Sequence, residues 1–138
     1  MRLQFMLDTN IAIYVIKNKP QNLMNTFSLC KGQMCISIIT LAEMLYGVEK
    51  STRPEHNRTQ VEAFCARLEV LPYGLMAVKH YGEIRADLER RGTPIGANDL
   101  HIAAHARSEG LTLVSNNTRE FTRVAGLSLT NWLDVEKK

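Results

Sequence analysis

Cysteine, proline and aromatic residues are scarce in this chain of 138 residues: three cysteines, four prolines and 7% aromatics. Cys30, Cys35 and Cys65 are an odd number and form no CxxC pair. That excludes a disulfide framework and a structural zinc site, and the three read as reduced thiols packed like small hydrophobes. So few aromatics exclude an extended base-stacking platform. No apolar run approaches the roughly 18 residues of a membrane span. The apolar residues behind Arg2 are interrupted at Asp8, too early for a secretory segment, so the expected location is the cytoplasm. A GxxxxGK phosphate loop and a GxSxG nucleophile elbow are both missing, and no cysteine sits where a nucleophile would.

Neither sign of charge dominates. Seventeen Lys and Arg against 14 Asp and Glu give a net charge of +3 and a pI of about 8.9. That balance is compatible with a nucleic-acid partner without establishing one. With 45% hydrophobic and 22% charged residues, wholesale disorder is excluded. The length suits one core. No repeat, low-complexity tract or linker divides it, so a single domain is expected over 1–138, frayed from about 134 through Glu136-Lys137-Lys138.

What the chain does have is a regular alternation of short apolar runs and helical patterns. Residues 3–7 form an apolar run that fits a buried parallel strand, and Thr9 or Asn10 then caps a helix running towards Lys17. Asn18-Lys19-Pro20 breaks it before a short helix through Leu23, Met24 and Phe27. Residues 34–38 are the second strand. Thr40 starts a strong helix with Leu41, Met44, Leu45 and Val48 on its apolar stripe. A further helical face (Val61, Phe64, Cys65, Leu68) precedes a short strand at Val70-Leu71. A helix spans 76–91 and stops at Gly92; Asn98 caps another over 99–109, ended by Gly110. Residues 111–114 are the fourth strand and 127–129 a fifth. This order predicts an α/β fold with a mainly parallel central sheet.

Open α/β sheets bind ligands beyond the carboxyl ends of their strands. Asp8 closes strand one there, Glu43 lies in the first turn of the helix after strand two, Asp99 opens the helix before strand four, and Ser115-Asn116-Asn117 closes that strand just ahead of Glu120. Each acid also has a plain structural use. Asp8 can cap a helix, Thr40-x-x-Glu43 has the form of a capping box, Asp99 suits a helix dipole, and Glu120 can be a solvated charge. Four acids at one edge repel one another unless something offsets them, and a hard divalent cation such as Mg2+ or Mn2+ is the natural offset. Such an ion activates water and stabilises charge on a phosphodiester. Thr9, Asn10, Ser115, Asn116 and Asn117 are short polar residues suited to orienting ligands or metal waters.

Rival chemistries fit less well. His101 and His105 have i,i+4 spacing, but helical geometry turns them away from Asp99 and from the Ile102–Ala103–Ala106 stripe, so they read as surface or helix-packing residues. An aspartyl-phosphate mechanism at Asp8 is weakened because Asp8-Thr9-Asn10 has no second aspartate two residues on. Lys17, Lys19, Arg85, Arg90, Arg91, Arg119 and Arg123 are candidates to border the acids and hold phosphates, an arrangement suited to a folded RNA.

These stretches resemble a known family. Met6-Leu7-Asp8-Thr9-Asn10, Ile39-Thr40-Leu41-Ala42-Glu43-Met44-Leu45-Tyr46-Gly47 and Gly96-Ala97-Asn98-Asp99-Leu100-His101-Ile102-Ala103-Ala104-His105-Ala106 look like three acidic motifs of PIN-domain ribonucleases, and Val114-Ser115-Asn116-Asn117-Thr118-Arg119-Glu120-Phe121 looks like the fourth. Within the family the likeness is greatest to the VapC toxins. It implies a three-layer α/β/α domain and a Mg2+- or Mn2+-dependent endoribonuclease with Asp8, Glu43 and Asp99 as metal-binding carboxylates. It also implies a homodimer, a neutralising VapB-type antitoxin, and operator DNA bound by the toxin–antitoxin complex. Toxins of this type cut structured RNA, and the nearest-looking branch cuts the anticodon region of initiator tRNA. On this likeness Asp8 and Asp99 hold the metal, while Glu43 ligates it directly or through water and helps deprotonate the attacking water. Thr9 and Ser115 orient ligands. Many PIN domains have aspartate where this chain has Asn117, so the fourth role falls to Glu120 or Asn117. Gly74 replaces a frequent acidic residue, with no catalytic meaning attached.

Overall fold

The central strand of the sheet is β1 (Phe5–Leu7). A computed structural model describes residues 2–134. The tail expected to fray, Glu136-Lys137-Lys138, lies outside the described residues. The sheet order is β3 (Glu69–Leu71), β2 (Met34–Ser37), β1, β4 (Thr112–Val114), β5 (Leu129–Thr130), with every pairing parallel. The second strand is one residue shorter at its end than expected, and the fifth lies two residues later.

Successive strand residues face opposite layers. Leu7, Ile36 and Val114 are buried under α1 (Thr9–Ile16), α2 (Gln21–Leu29), α3 (Ile38–Glu49) and α4 (Pro54–Cys65), packed with Ile11, Phe27, Met44 and Phe64. Met6, Cys35 and Leu113 face the other way, against Ile84 and Leu88 of α5 (Leu75–Arg90), Ile102 of α6 (Ala97–Glu109) and Phe121 of α7 (Thr118–Phe121). Three layers result, α/β/α. All three cysteines are free thiols. No helix among the described residues is long and apolar enough to cross a membrane.

The register places the functional edge. Leu7 pairs with Ile36 on one side and Val114 on the other, so Asp8, Ser37 and Ser115 stand level at the strand ends. The chain leaves β1 towards β2 on one flank and comes back as β4 on the other. That is a topological switch point, where such sheets open a crevice.

Three helix starts differ from the sequence expectation. The cap of α1 is Asp8, the plain structural use open to that acid, rather than Thr9 or Asn10: its Oδ1 accepts the Ile11 N–H at 2.9 Å. Ser37 rather than Thr40 caps α3, its Oγ accepting from Ile39 N at 3.0 Å. Gly96 rather than Asn98 precedes α6. In the first two cases the helix begins directly where the strand ends, so a strand-terminal residue takes the cap. The other end of α6 is as expected: Gly110 has φ of 69°, the left-handed conformation that glycine adopts without a Cβ clash.

Candidate active site

Asp8 is buried at 3% exposure, an unusual position for a carboxylate. Burial pushes its pKa up. Hydrogen bonds from Ser115 and the Ile11 amide pull it back, and the charge of Glu43 pushes it up again. Capping and ligation do not exclude each other here. The Ile11 amide engages Oδ1 alone, and a carboxylate has about four acceptor positions.

Glu43 lies in the second turn of α3, not the first, because the helix begins at Ile38. It forms no capping box with Thr40, which is buried within the helix. Its two oxygens are held from other elements: the Thr9 hydroxyl donates to Oε1, and Asn98 Nδ2 donates to Oε2 at 2.7 Å. Thr9 Oγ1 also lies 3.2 Å from Thr40 Oγ1. The carboxylate is therefore oriented from α1 and α6 together.

Asp99 is half-buried in the first turn of α6, and its pKa is raised to about 6. Burial is the largest cause, followed by the charge of Glu120, the charge of Asp8, a hydrogen bond with Glu120 and the charge of Glu43. A hydrogen bond between two carboxyl groups requires a proton on one of them. Glu120 also accepts from Asn117 Nδ2 at 3.3 Å, and the Asn117 amide donates to Ser115 Oγ at 2.9 Å. Asp8, Glu43, Asp99 and Glu120 thus meet at one edge with Thr9, Ser115 and Asn117 around them. Asn10 and Asn116 are exposed.

Among the described residues, no three carboxylate, imidazole or thiol groups already stand in a ligating array. The donor chemistry nonetheless suits a hard cation that takes one or two carboxylates directly and the rest through water. Cavities of about 470 Å3 (Glu43, Tyr46, Lys50 and Asn98 in its lining) and about 360 Å3 (Ile13, Lys17, Glu43, Met44 and Val61) open on either side of Glu43.

The basic candidates divide. Arg85 pairs with Glu89 at 3.0 Å and donates to Tyr81 OH at 2.9 Å. Arg91 pairs with Asp87 at 2.7 Å and donates to the Arg123 carbonyl, while Arg123 donates to the Pro94 carbonyl. Arg90 and Arg119 are exposed and form no ion pair among the described residues. Lys17 lines a cavity with Glu43, and so does Lys50, which sequence reasoning passed over.

Two other residues were missed or misread. Asn98 was assigned a cap but orients Glu43; its place next to Asp99 was the available signal. His105, expected to turn away from the buried stripe, is fully enclosed. The reason is that α6 buries Leu100 and every residue from 102 to 106, so it has no single apolar stripe.

Residues 5–127 match the PIN domain. The chain is 54% identical over 130 residues to the tRNA(fMet)-specific endonuclease VapC of Shigella flexneri, covering 94% of this chain and 98% of that one. It is 53% identical over 131 residues to Ribonuclease VapC2 of Haemophilus influenzae (95% and 99% covered). Among solved structures, the DNA-bound VapBC of Salmonella typhimurium superposes with a TM-score of 0.91 at 53% identity, covering 94% and 98%. VapBC2 of Rickettsia felis, bound to a promoter DNA fragment, gives 0.89 at 43% identity, covering 96% and 99%. By fold and by sequence, this chain belongs to the PIN-domain family and, within it, to the VapC proteins.

Proposed function

We propose that this chain is the toxin of a VapBC-type pair: a Mg2+- or Mn2+-dependent endoribonuclease that cuts structured RNA, specifically tRNA, at the anticodon region of the initiator. One observation carries the reading. Carboxylates from four separate stretches converge at the switch point of the sheet, and no Lys or Arg among the described residues pairs with any of them. The endonuclease and ribonuclease names of relatives more than 50% identical support it.

Asp8 and Asp99 would hold the ion, with Glu43 bound to it directly or through water and Glu120 or Asn117 completing the surroundings. When bound, a divalent cation supplies Lewis acidity to the phosphodiester and a more acidic water. The remaining chemistry belongs to side chains. Thr9 and Asn98 hold Glu43 so that its oxygens can receive the proton of an attacking water. Ser115 steadies Asp8 and the Asn117 turn. Arg90 and Arg119 are available to phosphates away from the scissile bond.

The proposal includes a VapB-type antitoxin, a homodimer, operator DNA bound through the toxin–antitoxin complex, and action in the cytoplasm. Exposed Leu75, Met76 and Val78, close together at the start of α5, support protein partners, since clustered exposed apolar side chains mark interfaces. Incubating purified protein with total RNA, with and without Mg2+, and mapping the new ends tests the reading. Asp8→Asn and Asp99→Asn should abolish cleavage and leave the fold intact. Full activity in both variants, or in EDTA, rejects it. Growth arrest on expression, relieved by Asp99→Asn, is the companion test.

A further inference from the structure

His105 has no part in the chemistry above, yet its ring is fully buried, and it makes a hydrogen bond across 68 residues of sequence. Nδ1 lies 2.7 Å from Ser37 Oγ. That oxygen already accepts the Ile39 N–H as the cap of α3, so the hydroxyl proton is free to donate. The arrangement that satisfies both groups has Ser37 donating to Nδ1, with the imidazole proton on Nε2. Nε2 is buried without a hydrogen-bond partner, and Glu109 Oε2 is 3.9 Å away. Burial lowers the ring's pKa against the opposing pull of Glu109 and the Pro72 carbonyl. An apolar residue would fill this space without leaving a buried N–H unpaired.

The polar ring makes sense in the relation between two helices. Ser37 is six residues before Glu43, and His105 six residues after Asp99. At about 1.5 Å of rise per residue, each interval is about 9 Å along its axis. Ser37 meets His105 at one end of this stretch, and Glu43 meets Asn98 at the other. The two segments therefore run antiparallel, tied at both ends.

We infer that His105 is a positioning residue: its bond to Ser37 is the inner of two ties that fix α3 against α6 and so set the spacing between Glu43 and Asp99. This rests on the metal-dependent reading proposed above. An apolar contact is non-directional and tolerates a slide of one helix along the other, whereas a hydrogen bond at both ends does not.

The test measures the Mg2+ midpoint of the full-length protein in two ways, by RNA cleavage and by the Mg2+-induced rise in melting temperature. His105→Leu keeps the volume and removes the acceptor, and should raise both midpoints about tenfold, the usual scale for a lost partner behind a metal ligand. His105→Asn, whose amide oxygen can stand near the Nδ1 position, should bring them back to within about threefold of wild type. Leu88→Ala, a core deletion in α5, should lower the melting temperature without moving the midpoint. Equal midpoints in His105→Leu and wild type, or no rescue by Asn, overturn the inference while leaving the proposed function standing. A wild-type protein indifferent to Mg2+ overturns both. If His105→Leu does not fold, Ser37→Ala, which deletes the other half of the bond, decides: a raised Mg2+ midpoint supports the tie, and a wild-type midpoint overturns it.

Discussion

Asp99 and Asp87 are the same residue type about three helical turns of chain apart, and their environments push them in opposite directions. The Arg91 guanidinium, four residues on at the cap of α5, holds the Asp87 carboxyl below its ordinary range. Asp99 is driven up to about 6, first by burial and then by the charges of Glu120, Asp8 and Glu43. Arg85 and Asp87 of α5 each pair with a residue four positions on, as surface charges commonly do, whereas Glu83 pairs with Arg107 of α6. The acids at the strand ends come from different elements; the fold supplies them with hydroxyl and amide donors, and no Lys or Arg among the described residues pairs with them. Charge that a protein neutralises locally serves the helix. Charge gathered at long range and left unneutralised is set up for a ligand.

The sharpest break of this contrast is a pair of matched substitutions. Asp99→Asn should reduce RNA cleavage by a hundredfold or more, on the order of losing a principal stabilising group. Asp87→Asn should leave cleavage at the wild-type rate. Gel-based cleavage of total RNA measures both, and similar losses in the two variants would dissolve the distinction. Thr9→Val comes next. It preserves shape but removes the donor to Glu43 Oε1, and cleavage should fall by about tenfold, the scale of one hydrogen bond to a charged group.

The contrast also fixes a pH dependence. Asp99 has a folded pKa of about 6 against 3.8 as its ordinary value. Its contribution to stability is therefore fully present below about 3.9 and lost as pH rises through about 6. Asp8 is raised too and acts in the same direction. His101 and His105, lowered by burial, act oppositely and stabilise as pH rises through their unfolded value. The Asp99 effect is thus read as a difference: between pH 4.5 and 7, metal-free wild type should lose stability relative to Asp99→Asn. The loss is on the order of 1 kcal/mol once solvent screening of this half-exposed group is discounted. Adding Mg2+ should recover most of it at pH 7 and little at pH 4.5, where protons compete for the same oxygens. Parallel melting curves with no such divergence would mean that Asp99 sits in an ordinary aqueous setting.

How much of this was legible in the sequence depends on the range of the cause. The apolar runs gave the five strands to within two residues, and the order of the acids identified the edge where they meet. The helix caps were misassigned because Thr9, Thr40 and Asn98 are all good capping residues. Which residue caps is decided by where the strand ends in the sheet, and that is set by pairing with a distant segment. The same tertiary fact freed Asn98 to hold Glu43 and put Glu43 a turn deeper into its helix. His105 was misread because a stripe argument assumes one wet face, and α6 is enclosed on most of its circumference over residues 102–106.

The smallest expected effects lie among the arginines, where sequence reasoning treated five alike and the structure separates them. Arg85 and Arg91 are already engaged along α5, so moving either onto an RNA phosphate would first break an existing pair. Arg90 and Arg119 have no such pair to break among the described residues. If phosphates are held by unengaged cations, Arg90→Ala and Arg119→Ala should each weaken RNA binding about threefold and reduce the salt dependence by about one counterion. Arg85→Ala and Arg91→Ala should change binding less and melting temperature slightly. Filter binding over a range of KCl concentrations separates the cases through the slope. A larger slope change for the paired arginines than for the unpaired ones would show that their ion pairs open readily. Local neutralisation would then be no guide, on the basic side of the protein, to which charges are reserved for a ligand.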